Sequence, residues 1–196
     1  MLVGEQQALI TQIVSNVLDA PIGFGGFYWL INQHRQQDFQ QYYSLIDNIF
    51  RALGGNPNSG KGLQGLNCDA YFGGSFNFIL EFDEHQHFST SRLKTLESYP
   101  SDLQVGFSVE EYKGYCQQYC FGADKYRYSK KTKDFKFPGG RTAQRAYLDC
   151  FRDILPPLHG LKPTVRIAQF EVLDITSNNP KSQDNIRQLL IRKGVL

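Results

Sequence analysis

Apolar residues recur at helical spacing near the start of the chain. Leu9, Ile10, Ile13, Val14, Val17 and Leu18 share one face and predict a helix over residues 4–19. One proline and three glycines in residues 20–27 break that pattern, as a connector or as a backbone segment close to a ligand. A second apolar face, from Trp29 and Leu30 through Phe39, Ile46, Phe50 and Leu53, predicts a helix over 28–53 that Gly54-Gly55 stops. Two β-forming runs, 66–72 and 76–83, flank Gly73-Gly74 and predict a hairpin with a two-residue turn. Ser89 or Thr90 caps a short helix carrying Arg92 and Lys94, and residues 109–120 give another helix. Residues 125–137 alternate like a strand. Helical spacing returns over 142–155, with Ala146, Tyr147, Phe151 and Ile154 apolar, and Pro156-Pro157 ends it. Residues 164–175 give one or two strands, and 181–193 a closing helix.

These elements assemble into an α/β fold: a small mixed β-sheet flanked by helices, in a single domain over 1–196 with an insertion at about 101–140. Hydrophobic residues make up 41 % and charged residues 20 %, as in an ordinary globular protein. The net charge of +2 does not by itself point to nucleic acid, so the distribution of charge must carry that argument. No segment has the ~20 apolar residues of a membrane span and no signal peptide is legible, so no membrane association and a cytoplasmic location are expected. Cys68, Cys116, Cys120 and Cys150 match no CxxC or zinc-ribbon spacing; Cys116 and Cys120 would share a helical face.

The chemistry concentrates in residues 67–88. A hairpin brings Asp69 on one strand near Glu81 on the next, and the second strand ends in Asp83, Glu84, His85, Gln86 and His87. Converging carboxylates in a partly dry site repel one another, and a divalent cation is the usual compensation. The pattern of an Asp, a strand ending Glu-x-Asp and then Gln-His resembles the PD-(D/E)XK nuclease superfamily. Within it, the branch of very-short-patch-repair and related restriction and homing endonucleases is the most similar. The resemblance implies a restriction-endonuclease-like core and a Mg²⁺-dependent DNA endonuclease, with Mn²⁺ as a substitute and a homodimer where both strands are cut.

On this resemblance Asp69 and Glu81 ligate the metal, with the Phe82 carbonyl as a third group. The family's lysine falls at Asp83, which strand alternation puts on the same side as Glu81, as a ligand to a second metal. Gln86 or His87 then takes over the proton handling that the lysine would have supported. Glu84 stands where the branch usually has glycine. Glu5 has two readings: compensation of the helix dipole, or the acid that the family's first helix often contributes. His85 and His87 could ligate zinc from one side of a strand, but an oxygen-rich set favours Mg²⁺. A catalytically degenerate, DNA-binding relative is the alternative.

From Lys113 to Arg145 there are nine Lys or Arg and two acids, with aromatic residues interleaved. Lys125, Arg127, Lys130, Lys131, Lys133 and Lys136 therefore make a basic ribbon suited to DNA phosphates. Arg92 is a candidate phosphate clamp or the partner of Glu97. Arg141 is a further DNA contact, and Arg145 and Arg166 match recurrent basic positions of the resembled family; the ordinary reading of Arg166 is a pair with an acid on a neighbouring strand.

Overall fold

The computed structural model describes residues 3–23 and 26–196. Part of the 20–27 connector, Phe24 and Gly25, and the terminal pair Met1 and Leu2 lie outside them. The chain is mixed α/β, with a three-stranded sheet at its centre. Strands β1 (Ala70–Phe72) and β2 (Phe78–Asp83) are antiparallel, and β3 (Val165–Ala168) joins the other edge of β2 in parallel. Every residue of β2 is buried, as expected for a central strand.

Alternation along β2 decides what each sheet face receives. Phe78, Leu80 and Phe82 point into a core formed with helices α1 (Val3–Leu18) and α7 (Ser182–Arg192), where Ile10, Val14, Ile186 and Leu190 pack. Ile79 points the other way. It packs with Phe39 and Ile46, from α2 (Gln36–Phe39) and α3 (Tyr43–Ala52), and with Phe151 and Ile154 of α6 (Gly140–Leu158). Glu81 and Asp83 share the α6 side. A third cluster joins α4 (Thr90–Glu97) to α5 (Val109–Lys125) through Phe88, Leu96, Tyr112 and Cys116. Ser89 caps α4 by accepting from the Arg92 amide at 3.1 Å, and Ser108 caps α5 by accepting from Glu111 at 3.2 Å.

Several elements differ from expectation, each for a local reason. The hairpin turn spans 73–77 rather than two residues, because Phe72 pairs with Phe78; Gly74 and Asn77 take the positive φ values of 63° and 50°. The 28–53 helix is broken: 28–35 is irregular, and Gln40, at φ 49°, interrupts the helix between α2 and α3. Helix α6 runs through Pro156-Pro157, which sit in its last turn. The Arg152 carbonyl, which an amide at 156 would have met, accepts instead from Thr164 Oγ1 at 2.5 Å. After β3 the chain enters a 3-10 turn, Gln169–Glu171, rather than a second strand.

The basic segment forms no β-ribbon. Residues 126–139 are a loop held by turns and anchored by Phe135, fully buried against Phe50 and Tyr147. Asp134 ties it to the 56–61 loop through Lys61 at 2.5 Å and Ser59 at 2.7 Å. The loop returns into α6 by way of Gly139, at φ 85°, and Gly140, where a Cβ would lie 2.1 Å from the Phe135 carbonyl oxygen. Backbone must pass that point without a side chain.

Candidate functional site

Strand β2 and helix α6 define a cleft of about 300 Å³. From β1–β2 and the turn that follows come Asp69, Glu81, Phe82, Glu84, Gln86 and His87. From α6 come Arg141, Arg145, Leu148, Asp149 and Arg152, whose spacing repeats every three or four residues and so presents one helical face. Helix α1 contributes Gln7; Glu5, two residues earlier, is not in the lining.

Asp69 and Glu81 meet at the closed end. The Asp69 amide donates to Glu81 Oε1 at 3.3 Å, and Asp69 Oδ2 accepts from the Phe82 amide at 2.8 Å. Asp69 lies one residue before β1, where the chain is no longer committed to the sheet ladder and its side chain can reach across to β2. Arg152 Nε lies 3.1 Å from Glu81 Oε1 but makes no well-aligned hydrogen bond there. Burial pushes the Glu81 carboxyl up to about 8 against the pull of Arg152. Burial also raises Asp69 and Glu84, with Asp83 adding repulsion at Asp69. Three carboxyl groups around one cleft thus resist carrying their full charge.

Behind the cleft runs a buried ionic chain. Arg166, fully buried, donates to Asp83 Oδ1 and to Asp153 Oδ1, both at 2.7 Å. Arg92 Nη2 donates to Asp153 Oδ2 at 2.8 Å, and the Tyr99 hydroxyl donates to the same oxygen at 2.5 Å. The Tyr112 hydroxyl donates to Asp83 Oδ2 at 3.1 Å. His87 Nδ1 lies 3.0 Å from Asp149 Oδ2 and 3.3 Å from Asp83 Oδ1. With carboxylates on two sides, Nδ1 is the ring nitrogen placed to donate. Burial would raise Asp149, but His87, Arg166 and Arg92 outweigh it and hold the group well below the usual carboxylate range.

The candidate residues named from the sequence fall into three groups. Asp69, Glu81, Phe82, Gln86 and His87 come together in the cleft with Arg141 and Arg145. Asp83 lies on the Glu81 side, as alternation requires, but its carboxylate is consumed by Arg166, Tyr112 and His87 and is only 1 % exposed. Arg92 corrects the sequence reading outright. It is 2 % exposed and bound to Asp153, so it clamps no phosphate and does not pair with Glu97. Arg166 is fully buried and pairs with Asp83, an acid on the neighbouring strand. Lys125, Arg127, Lys130, Lys131, Lys133 and Lys136 are all exposed on the 125–136 segment. Sequence reasoning missed Asp149 and Arg152; the stripe 141, 145, 149, 152 on one helix was the signal that could have found them.

The donor set decides what cation the cleft fits. No group of three or more His, Cys, Asp or Glu side chains is arranged to hold a metal ion, whether zinc or Mg²⁺, among the described residues. The cleft offers two neighbouring carboxylates, Asp69 and Glu81, the number that Mg²⁺ usually takes from a protein while it keeps most of its waters. Cys116 and Cys150 are buried thiols.

No helix among the described residues is long and apolar enough to cross a membrane. No curated protein and no solved structure matches the chain. A family match spans residues 48–190, taking in both cleft carboxylates, the arginine face of α6 and β3 but not α1. By that match the chain belongs to the family of unknown function DUF7255.

Proposed function

We propose that the protein is a metal-dependent DNA endonuclease of restriction or repair type, built on a restriction-endonuclease-like core. The observation that carries this reading is the meeting of Asp69 and Glu81 in a cleft whose opposite wall is arginine. Mg²⁺ held by these two carboxylates, with Mn²⁺ as a substitute and the Phe82 carbonyl nearby, would polarise a phosphoryl oxygen and lower the pKa of a bound water. Arg141 and Arg145 supply guanidinium donors for a phosphate in the same space, and the buried Nε of Arg141 has no hydrogen-bond partner of its own. His87, whose Nδ1 is held by Asp83 and Asp149, is the group assigned to proton handling. Gln86 orients the same turn: its carbonyl accepts from Arg145 at 3.2 Å and its amide bonds Glu84. Arg152, rather than a lysine on β2, brings positive charge to Glu81. Two copies of the chain would be needed to cut both strands of a palindrome.

One observation favours a second reading, a degenerate nuclease fold that binds DNA without cutting it. Arg152 already sits against Glu81, and Asp83 occupies the position of the family's lysine. Plasmid incubation with Mg²⁺ and then with EDTA separates the two, together with calorimetric titration of Mg²⁺. The endonuclease cuts, binds Mg²⁺, and loses both in Asp69→Asn and Glu81→Gln. Mg²⁺ binding without cutting, over duplex, mismatched and methylated substrates, refutes the endonuclease. Cutting that survives both substitutions refutes the site.

A further inference from the structure

We propose that the 121–137 surface is a stacking platform for the unpaired bases of single-stranded DNA, leading into the cleft; this deepens the endonuclease reading and rests on it. Four large rings stand in solvent within this short stretch: Phe121 is 74 % exposed, Tyr128 58 %, Tyr126 39 % and Phe137 37 %. Isolated exposed rings are ordinary, but a run of them interleaved with cations is not. Lys125 Nζ lies 3.6 Å from the Phe121 ring centroid, and the Arg127 guanidinium lies 5.2 Å from that of Tyr126. No ion pair engages Lys125, Arg127, Lys130, Lys131, Lys133 or Lys136 among the described residues. The two acids of the region are spent elsewhere, Asp124 on Thr90 and Asp134 on Lys61 and Ser59.

Tyr126 joins this surface to the cleft. The Arg145 guanidinium lies 5.5 Å from its ring centroid, and Arg145 also lines the cleft. A strand whose base stacks on Tyr126 therefore brings its backbone past the arginine face of α6. The platform is also ordered in advance. Gly139 donates to the Tyr128 carbonyl at 2.5 Å, Arg141 to that of Lys130 at 3.1 Å, and Phe135 is locked in the core. Arg127 is held at φ 51°, a conformation that side chains other than glycine adopt at a cost. Preordering lowers the entropic penalty of binding.

Duplex DNA would use the lysines and leave the rings idle, since its bases are already stacked. A second copy of this chain is the wrong occupant, because a two-fold interface would set one lysine-rich surface against the same surface of the partner. Unpaired bases on a phosphate backbone satisfy both components, and stacking is tolerant of sequence.

The test is fluorescence anisotropy in EDTA with the full chain, using a labelled oligothymidine strand and a blunt duplex of equal length. Single-strand binding is expected to be the tighter. Replacing Tyr126 and Tyr128 together by Leu should weaken it about ten- to hundred-fold. Duplex binding should stay within about two-fold, and Tyr126→Phe with Tyr128→Phe should restore the single-strand affinity. Lys130→Gln with Lys131→Gln should weaken both ligands and flatten the salt dependence. Equal loss on both ligands, no loss, or failure to bind the strand overturns the platform. So does a change in sedimentation on removing the rings, which would mean that a second copy covers them. Mg²⁺-dependent cleavage persisting alongside any of these results leaves the endonuclease reading standing; strand binding without cleavage of any substrate removes that reading and keeps the platform.

Discussion

Glu81 should make the protein less stable as the solution becomes more alkaline, and Glu81→Gln should remove that dependence. The group is buried, its folded-state pKa is pushed up to about 8, and its ordinary value is 4.5. Between those values the folded chain keeps a proton on Glu81 that the unfolded chain releases. Its contribution is therefore fully present below 4.5 and is lost as pH rises through about 8. At about 1.4 kcal/mol per pH unit the interval corresponds to at most about 5 kcal/mol, and to several kcal/mol after relaxation around the charge. Glutamine is neutral throughout and nearly isosteric. The broken contact with Arg152 shifts the variant by a constant amount, whereas the Glu81 titration gives a slope. Urea unfolding in EDTA, at intervals from about pH 5 to about pH 9, should show wild type losing ground to Glu81→Gln by roughly 1 kcal/mol per pH unit before levelling off. A stability gap that stays flat across that range refutes the placement of a desolvated carboxyl at this position.

Three further outcomes follow from the packing. Arg92→Met should destabilise by about 3–5 kcal/mol in urea unfolding, because Asp153 loses one of its two guanidinium partners in the interior; at temperatures where the variant is folded, nucleic-acid affinity in an anisotropy titration should not change. Gly140→Ala should cost about 1–3 kcal/mol and lower the melting temperature, since a Cβ there meets the Phe135 carbonyl oxygen at 2.1 Å; an unchanged melting temperature would contradict this. Ellman's reagent on the native protein should label Cys120 quickly and spare the buried Cys116 and Cys150, whose thiols burial pushes up to about 12 and about 11; labelling of Cys116 and Cys150 as fast as Cys120 would contradict their burial.

Period carried most of what the sequence could say. Helices α1, α5, α6 and α7 and strand β2 follow from apolar spacing, because each buries a continuous face whose repeat matches its geometry. Local chemistry narrowed the cap of α4 to Ser89 or Thr90 for the same reason, and Ser89 makes the bond, to its own neighbourhood. What failed needed distant partners. The alternation in 125–137 read as a strand, but a strand needs an edge to pair with; Phe135 goes into the core and the lysines stay out without any ladder. Pro156-Pro157 read as a stop, yet Thr164, twelve residues beyond Arg152, satisfies the Arg152 carbonyl that Pro156 releases. Arg92 read as a surface charge because its partner Asp153 is sixty-one residues away. In the cleft, the meeting of Asp69 with Glu81 was legible from the hairpin alone. Asp149 and Arg152 were not, because the docking of α6 on β2 is a tertiary fact.

That docking also settles where positive charge beside Glu81 must come from. On β2 the residue two places after Glu81 shares its face, and in this chain it is Asp83, which adds negative charge. Arg166, opposite Glu81 in the strand register, is drawn to Asp83 and Asp153 instead. The direct contact comes from the helix that covers this face, as Arg152 arrives from it at 3.1 Å. Electrostatics at the cleft therefore depend on α6 lying flat on the sheet, and α6 lies flat through Phe151 and Ile154 against Ile79. A chain that carried its cation on β2 would hold acid and base on one strand and tolerate movement of the helix. Here the helix is part of the charge balance, so loosening the apolar contacts under α6 separates Arg152 from Glu81 and leaves a buried carboxyl with less to offset its desolvation. Core packing on that side of the sheet and the chemistry of the cleft are for this reason one energetic unit, and changes to either should be non-additive with changes to the other.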